Sequence, residues 1–402
     1  MALIDFKVLP GIDKQDTASG AEFRWVDCDN TRFRYGLPEK VGGWSSLVTD
    51  TIVGVARREF AFVDLDGNRY VAIGTDKFLL IYFEGQLYDI TPLKTTLTSA
   101  TLATTNTSAI CSITTGTNHN LSVGDIVLLD TVTLPVGTGY VDADFENKLF
   151  QVTSITSATV FTITQSTAAT ATVGTGGSLS VKPYEQVGPA EQSYGYGWGI
   201  DTWSSGKWGE AASASDVSLE PGLWSLSNFG QVLVATIANG KTFTWNAGDA
   251  ARLTTRASTA TSGFETTNNP TATRITLVSP TTRHLIHLGT ETTIGDPTTQ
   301  DDMFIRFSDQ EDINDYVPTA INSAGSQRLQ DGTRIMGALK AKESILVWTD
   351  NALYTMKFIG APFTFGFEQV GTNCGLIGKN AAIEIDGMAF WMSSNGFFMF
   401  DG

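Results

Sequence analysis

The chain has 402 residues, of which 42% are hydrophobic and 10% aromatic, with 40 glycines and a formal net charge of −16. That is enough apolar material for one large repeat fold or for two or more domains, and the abundance of Thr, Val, Gly and aromatic residues favours strands and turns over helices. An acidic balance of this size excludes wrapping nucleic acid by charge neutralisation, which needs clustered Lys and Arg.

Residues 1–30 are polar and irregular, broken by Pro10-Gly11 and Ser19-Gly20. Arg32-Phe33-Arg34-Tyr35 then reads as a short alternating strand that enters a Gly36-Leu37-Pro38 turn and leaves through Gly42-Gly43-Trp44. Trp44 is expected to act as a large apolar anchor. Strands follow over 52–63 and 70–83, joined by Asp64-Leu65-Asp66-Gly67-Asn68, and 86–90 closes the first blade. The Asp64 loop lacks the downstream bidentate Glu of a calcium loop and lies between two strands, so it reads as a hairpin turn.

Composition changes near residue 98. From there to about 183 the chain is rich in Thr, Ser, Ala, Val and Gly, with strands expected near 121–128, 144–152 and 158–164. The expected organisation is a first segment and blade over 1–97, an inserted small β domain over 98–183, and the remaining blades over 184–402.

The segment 192–208 alternates Gly with aromatics, a pattern no helix keeps. Tyr194, Tyr196, Trp198, Trp203 and Trp208 are therefore candidate contact residues for a neighbouring subunit or a glycan; packing of a long inter-blade loop on its own propeller is the plainer alternative. Leu223–Gly230 starts the second blade, and 256–283 reads as a Thr/Ser-rich linker. His284–Leu288 and Met303–Phe307 supply paired strands of a third blade, Ser308–Pro318 an acidic exit, Arg334–Phe358 a fourth blade and Leu376–Phe400 a fifth. The chain is expected to be the front part of a longer polypeptide, because five readable blades leave no complete closing unit.

One cassette recurs through this order. An apolar, β-branched run, a polar Asn- or Gly-bearing turn and a second apolar run appear at 70–83, 232–245, 344–358 and 388–400. Turns such as Ser393-Ser394-Asn395-Gly396 have the chemistry of antiparallel hairpins, and a recurring buried hairpin marks a radial β repeat. Ile345 and Ala389 lie 44 residues apart, the scale of a propeller blade, whereas Tyr70 and Val232 lie 162 apart because the insertion intervenes. The fold class expected is all-β, a β-propeller with an inserted small β-barrel-like domain.

No chemistry-bearing motif emerges. Cys28, Cys111 and Cys374 are odd in number and far apart, without a Cys-x-x-Cys knuckle, and are expected to be buried free thiols. His284 and His287 would fall on opposite faces of a strand, a weak metal pair, and His119 stands alone. Asp301-Asp302 and Glu311-Asp312 are adjacent carboxylates, expected to be solvated loop charges rather than a hydrolytic pair. Tyr194-Gly195-Tyr196-Gly197-Trp198-Gly199 lacks dinucleotide-loop spacing, and neither a phosphate-binding Gly-Lys loop nor a nucleophile elbow is found. Catalytic residues, cofactor and metal are therefore each expected to be none. No signal peptide is expected from Met1–Lys7, and no apolar run approaches the roughly 20 residues of a membrane span.

With these residues laid out, the chain resembles the nozzle or packaged-DNA-stabilisation proteins of short-tailed bacteriophages. The resemblance is carried by Arg34–Trp44, by Trp224, Phe229-Gly230 and Leu233-Val234 with Trp245, and by 344–400 with Gly375-Leu376-Ile377-Gly378. Within the insertion, Leu121–Asp125 and Phe145–Val152 resemble the small β-barrel modules of phage structural proteins. The resemblance implies a non-enzymatic virion tail component made in the host bacterial cytoplasm. It implies a homo-hexameric ring below the portal and adaptor, with tail fibre or spike proteins as further partners and viral double-stranded DNA passing through the bore without specific binding. A carbohydrate-binding or depolymerising propeller, with the 194–208 aromatics in a glycan groove, is the alternative expectation.

Overall fold

The computed structural model describes residues 8–48, 50–192, 220–258 and 268–402. The chain divides into two compact units, Met1–Thr51 and Ile52–Gly402. In the first, β1 (Thr31–Arg34) pairs antiparallel with β2 (Leu37–Lys40), with Phe33 opposite Pro38. The turn is Tyr35-Gly36, both at positive φ, as a two-residue hairpin with the strands' own twist requires. The turn therefore lies one residue earlier than the sequence suggests, and Pro38 is a strand residue, tolerated because a two-stranded ribbon leaves one edge unpaired. Trp44 is 94% exposed and anchors nothing.

The second unit is all-β. Its first sheet is β3 (Ala56–Val63), β4 (Arg69–Thr75), β5 (Leu79–Phe83) and β6 (Gln86–Asp89) in sequential order. Six strands then close into a barrel: β7 (Leu97–Thr104), β8 (Ile110–Thr114), β9 (Ile126–Thr133), β10 (Lys148–Ser157), β11 (Val160–Thr164) and β12 (Val173–Pro183), in the cyclic order β10-β11-β8-β7-β12-β9. Its interior is filled by alternating residues such as Leu102, Ile113, Val127, Phe161 and Val181, so the barrel is a packed core with no channel. Asp144, expected to begin a strand, ends a turn of 3-10 helix over Asp142–Asp144, and β10 starts only at Lys148.

Four further sheets follow. The second is β13 (Trp224–Phe229), β14 (Val232–Ile237) and β15 (Thr242–Asn246). The third is β16 (Thr273–Val278), β17 (Leu285–Thr290), β18 (Phe304–Phe307) and β19 (Gly325–Arg328). β20 (Ile335–Lys340), β21 (Ile345–Thr349), β22 (Ala352–Gly360) and β23 (Thr364–Thr372) form the fourth; β24 (Ala382–Ile385), β25 (Met388–Ser393) and β26 (Gly396–Phe400) form the fifth. Residues 273–278, read from sequence as linker, are thus the first strand of a sheet.

The result is a five-bladed, propeller-like array with the barrel inserted between its first and second sheets. The first strands β3, β13, β16, β20 and β24 adjoin in sequence around an axis, and the sheets pack face to face. Phe62, Tyr70 and Ile81 of the first sheet meet Leu226, Phe243 and Trp245 of the second. Gly74 permits this approach: a Cβ there would sit 2.6 Å from Trp224 Cδ1. Serine and threonine join the second sheet to the third, through Ser225 Oγ to the Thr276 carbonyl at 2.8 Å and Thr236 Oγ1 to Thr276 Oγ1 at 2.8 Å. Phe229 and Val234 of the second sheet also pack on Val278 and Leu285 of the third, and between the third and fourth sheets Ile286, Leu288 and Ile305 meet Ile345, Val347 and Tyr354. Trp348 and Leu353 of the fourth meet Ala389 and Trp391 of the fifth.

The barrel is latched where it leaves and rejoins the propeller. Tyr184 Oη donates to Asp89 Oδ2 at 2.6 Å, and Arg256 reaches both, with Nη1 2.9 Å from Asp89 Oδ2 and Nη2 2.6 Å from Tyr184 Oη. Ile126 and Leu128 of the barrel pack with Leu80 of the first sheet and with Phe78 in its β4–β5 turn.

Candidate functional site

The first strands of the propeller run side by side, so residues at their beginnings converge at one end of the axis. There a cavity of about 60 Å³ is lined by three cationic residues, Arg58, Arg274 and Lys379, and among the described residues by no acidic one, with Asn380, Ser225 and Thr276 among its polar residues. Its cationic lining contrasts with the chain's net charge of −16. Drug-sized ligands occupy roughly 300–1,000 Å³, so this cavity is smaller than a site that encloses one.

Behind the cavity, Glu220 gathers three cations from three places in the chain. Arg274 Nη2 lies 3.2 and 3.1 Å from its two oxygens, Arg334 Nη1 2.6 Å away and Lys379 Nζ 3.1 Å away. Arg274 also donates to Asp302 at 3.2 Å. Burial alone would raise the Glu220 carboxyl, but Arg274 and Lys379 outweigh it and hold it below its usual range. Burial lowers the Lys379 ammonium, with Glu220 opposing.

Arg57 and Arg58 complete this end. Arg57 donates to the carbonyls of Gly222, at 2.8 Å, and Ala190. Arg58 has a single hydrogen bond among the described residues, from Nη1 to Asn380 Oδ1 at 3.3 Å. Its side chain keeps access to solvent, yet the surrounding strands desolvate the guanidinium enough to lower its pKa.

A second feature is the far face of the fifth sheet. Ala382, Trp391 and Phe398 form one cross-strand row and face the fourth sheet. By strand alternation, the opposite face carries Ile383, Phe390 and Met399 in one row and Met392 and Phe397 in another. Ile383, Met392, Phe397 and Met399 are exposed, Phe397 at 83%. In the four preceding sheets the corresponding forward face is covered by the next sheet.

The sequence-based candidates fare unevenly. Tyr194, Tyr196, Trp198, Trp203 and Trp208 lie outside the described residues. His284 and His287 are both fully buried and held by hydroxyls: His284 by Thr282 and Ser323, at 2.7 and 3.0 Å, and His287 by Thr273 Oγ1 and Tyr316 Oη, at 2.9 and 3.0 Å. His119 Nδ1 accepts the Leu121 N–H and Nε2 donates to the Ser157 carbonyl. Among the described residues no group of three or more His, Cys, Asp or Glu is placed to hold a metal.

The Asp64 loop is a side-chain-capped turn, with Oδ1 accepting from the N–H groups of Asp66 and Asn68, each at 2.9 Å. Asp301 and Asp302, expected to be solvated, are instead ion-paired, to Arg328 at 2.6 Å and Arg274 at 3.2 Å. Cys111 and Cys374 are buried free thiols, whereas Cys28 is only half-buried. Sequence reasoning missed the axial cluster, because Glu220, Arg274, Arg334 and Lys379 share no motif and meet only through the circular arrangement of the sheets.

No family model matches the chain, and no curated protein matches it. Among solved structures, the Phage phi92 endosialidase aligns at 14% sequence identity with a TM-score of 0.27, covering 81% of this chain and 50% of that one. The chain thus spans half the length of that protein. At this level of similarity the alignment carries no conclusion about activity, and the propeller-like architecture rests on the sheets themselves. Among the described residues no helix is long and apolar enough to cross a membrane.

Proposed function

We propose that this chain is a structural component of a bacteriophage tail, a nozzle-type subunit that assembles with copies of itself into a ring through which viral DNA passes. The observation that carries this reading is the exposed apolar face of the fifth sheet, with Phe397, Met399, Ile383 and Met392 in adjacent rows. Contiguous exposed apolar surface on a folded chain marks an interaction site, and a flat β face is shaped to pack on another sheet. A sheet of a neighbouring subunit would cover it, as would a further blade of the longer polypeptide expected from the sequence; the ring reading takes the first. The sequence resemblance to short-tailed phage nozzle proteins supports the same reading.

In this reading the DNA path is the centre of the ring of subunits. The propeller's own axis, with about 60 Å³ of open space, has no room for a duplex. The chain's net acidity suits a bore along which DNA slides without sticking, since neutralising its phosphates needs clustered cations. The small axial cavity also weighs against a glycan-degrading propeller that works at its axis. The role proposed is mechanical, with portal, adaptor and fibre proteins as the expected neighbours.

The test is the mass of the assembly in solution. Analytical ultracentrifugation of the recombinant chain is expected to give a hexamer, with Phe397→Glu/Met399→Lys reducing it to monomer while the thermal transition is kept. A wild-type chain that stays monomeric at concentrations up to about 100 μM, where an interface of micromolar affinity is mostly filled, contradicts the proposal.

A further inference from the structure

We propose that the axial cavity is a binding site for a free, compact oxyanion of the phosphate class, held between Arg58 on the first sheet and Arg274 and Lys379 at the third and fifth. This site is independent of the ring proposal. Three observations carry it.

The first is the lining: three cations and, among the described residues, no carboxylate. The second is the hydrogen-bond inventory. Arg274 is 4% exposed as a side chain, yet its Nε–H is buried without a partner. Arg58 uses one of its five N–H donors, on a neutral amide 3.3 Å away. A buried unpaired donor is costly, and an anion in the cavity would supply the acceptor that Arg274 Nε lacks and a charged partner for the solvent-accessible Arg58.

The third is charge. Around Glu220 and Asp302 stand Arg274, Arg334 and Lys379, with Arg58 beside them, so among the described residues cations outnumber carboxylates by four to two. Arginine's fork suits planar and tetrahedral oxyanions, which it can bind through two parallel hydrogen bonds.

Size selects the class. At roughly 10–15 Å³ for each water-sized group, a cavity of about 60 Å³ accepts a five-atom ion such as phosphate. Because Arg58 begins the array and Lys379 precedes its last sheet, the bound ion would tie the two ends of the open propeller together.

The experiment uses the whole chain at pH 7.5. Thermal unfolding is compared in sodium phosphate and in sodium chloride of equal ionic strength, and inorganic phosphate is titrated by calorimetry. Phosphate is expected to raise Tm by about 2–4 °C over chloride, the size of shift that saturating a site gives a chain of this length, and to bind with one-site stoichiometry. Arg58→Gln is expected to abolish the Tm shift and weaken binding at least tenfold, while Lys357→Gln, an exposed cation on β22, keeps both. Equal Tm values in the two salts with no binding heat for the wild-type chain overturn the proposal, and this arm needs no variant to fold. So does a full phosphate response in Arg58→Gln.

Discussion

Arg58, on the first strand of the first sheet, donates a 3.3 Å hydrogen bond to Asn380, 322 residues later and just ahead of the fifth sheet. Asn380 returns one at 3.5 Å from Nδ2 to the Arg57 carbonyl. These bonds link the ends of the propeller-like array at its axis. The other junctions between successive sheets are broad apolar or hydroxyl-bonded faces, so the array is held tightly along four junctions and by polar groups at the fifth.

Glu220 is the centre of that polar end. Replacing it with Gln leaves Arg274 and Lys379, with side chains 4% and 12% exposed, without their main counter-charge. Removing one partner from a buried pair costs about 3–5 kcal/mol; with Glu220 itself 27% exposed, a loss of about 3 kcal/mol is expected in urea unfolding. Asp302→Asn, whose side chain is 40% exposed, is expected to cost under about 1 kcal/mol. Equal losses for the two would remove Glu220 from the centre of the network.

His287 makes the fold sensitive to mild acid. Burial, with Arg306 nearby, lowers its pKa from 6.5 to about 3. The unfolded chain therefore binds a proton that the folded chain refuses, and stability contributed by this group is full above about pH 6.5 and lost as pH falls toward 3. The same sign holds for His284, also lowered by burial. Unfolding free energy is expected to drop between pH 6.5 and 5, above the range where carboxylates titrate, with a slope approaching ~1.4 kcal/mol per pH unit for each such group. His287→Gln is expected to flatten that slope when urea midpoints are compared at pH 7, 6 and 5.

Gly375 is required by a close approach. A Cβ there would lie 2.2 Å from the backbone carbonyl carbon and oxygen of Asp350 and 2.4 Å from Asn351 N. Backbone cannot rotate away as a side chain can, so Gly375→Ala is expected to cost at least the 1–3 kcal/mol of about one overpacked methyl. Gly378→Ala, with nothing within 4 Å of its would-be Cβ, is expected to change Tm little, and a scan of both variants checks the contrast.

The barrel latch is tested separately. Arg256→Ala removes the cation that reaches Asp89 and Tyr184 and stacks 4.8 Å above the Tyr184 ring. Amide exchange is expected to quicken around Asp89–Lys94 and Pro183–Gln186 while β8 and β11, inside the barrel, stay protected. Uniform loss of protection across the barrel would mean that the latch supports the whole insertion.

Much of the propeller was legible because its hairpins carry their own signals. The strands at 345–349 and 352–360, at 388–393 and 396–400, and at 232–237 and 242–246 are apolar runs divided by turns rich in Asn and Gly. β7, β8 and β12 were not, because in a small barrel half the positions face solvent and here Thr, Ser and Gly occupy them. β16 reads Thr-Arg-Ile-Thr-Leu-Val; Thr273 and Thr276 fall on opposite faces of the strand and each bonds other hydroxyls in the interior, so buried positions on both faces look polar. The axial cluster was invisible for a different reason. Its charges are spread from Arg58 to Lys379, and only the circular run of first strands brings them to one place.

Particle imaging of the recombinant chain tests the central claim most directly. The expected result is a sixfold ring with a bore of about 20 Å or more, wide enough for a DNA duplex, with the fifth sheet's Phe397 face at the subunit boundary. A monomer or trimer without an axial channel, or a ring whose Phe397 face is turned to solvent, would contradict it.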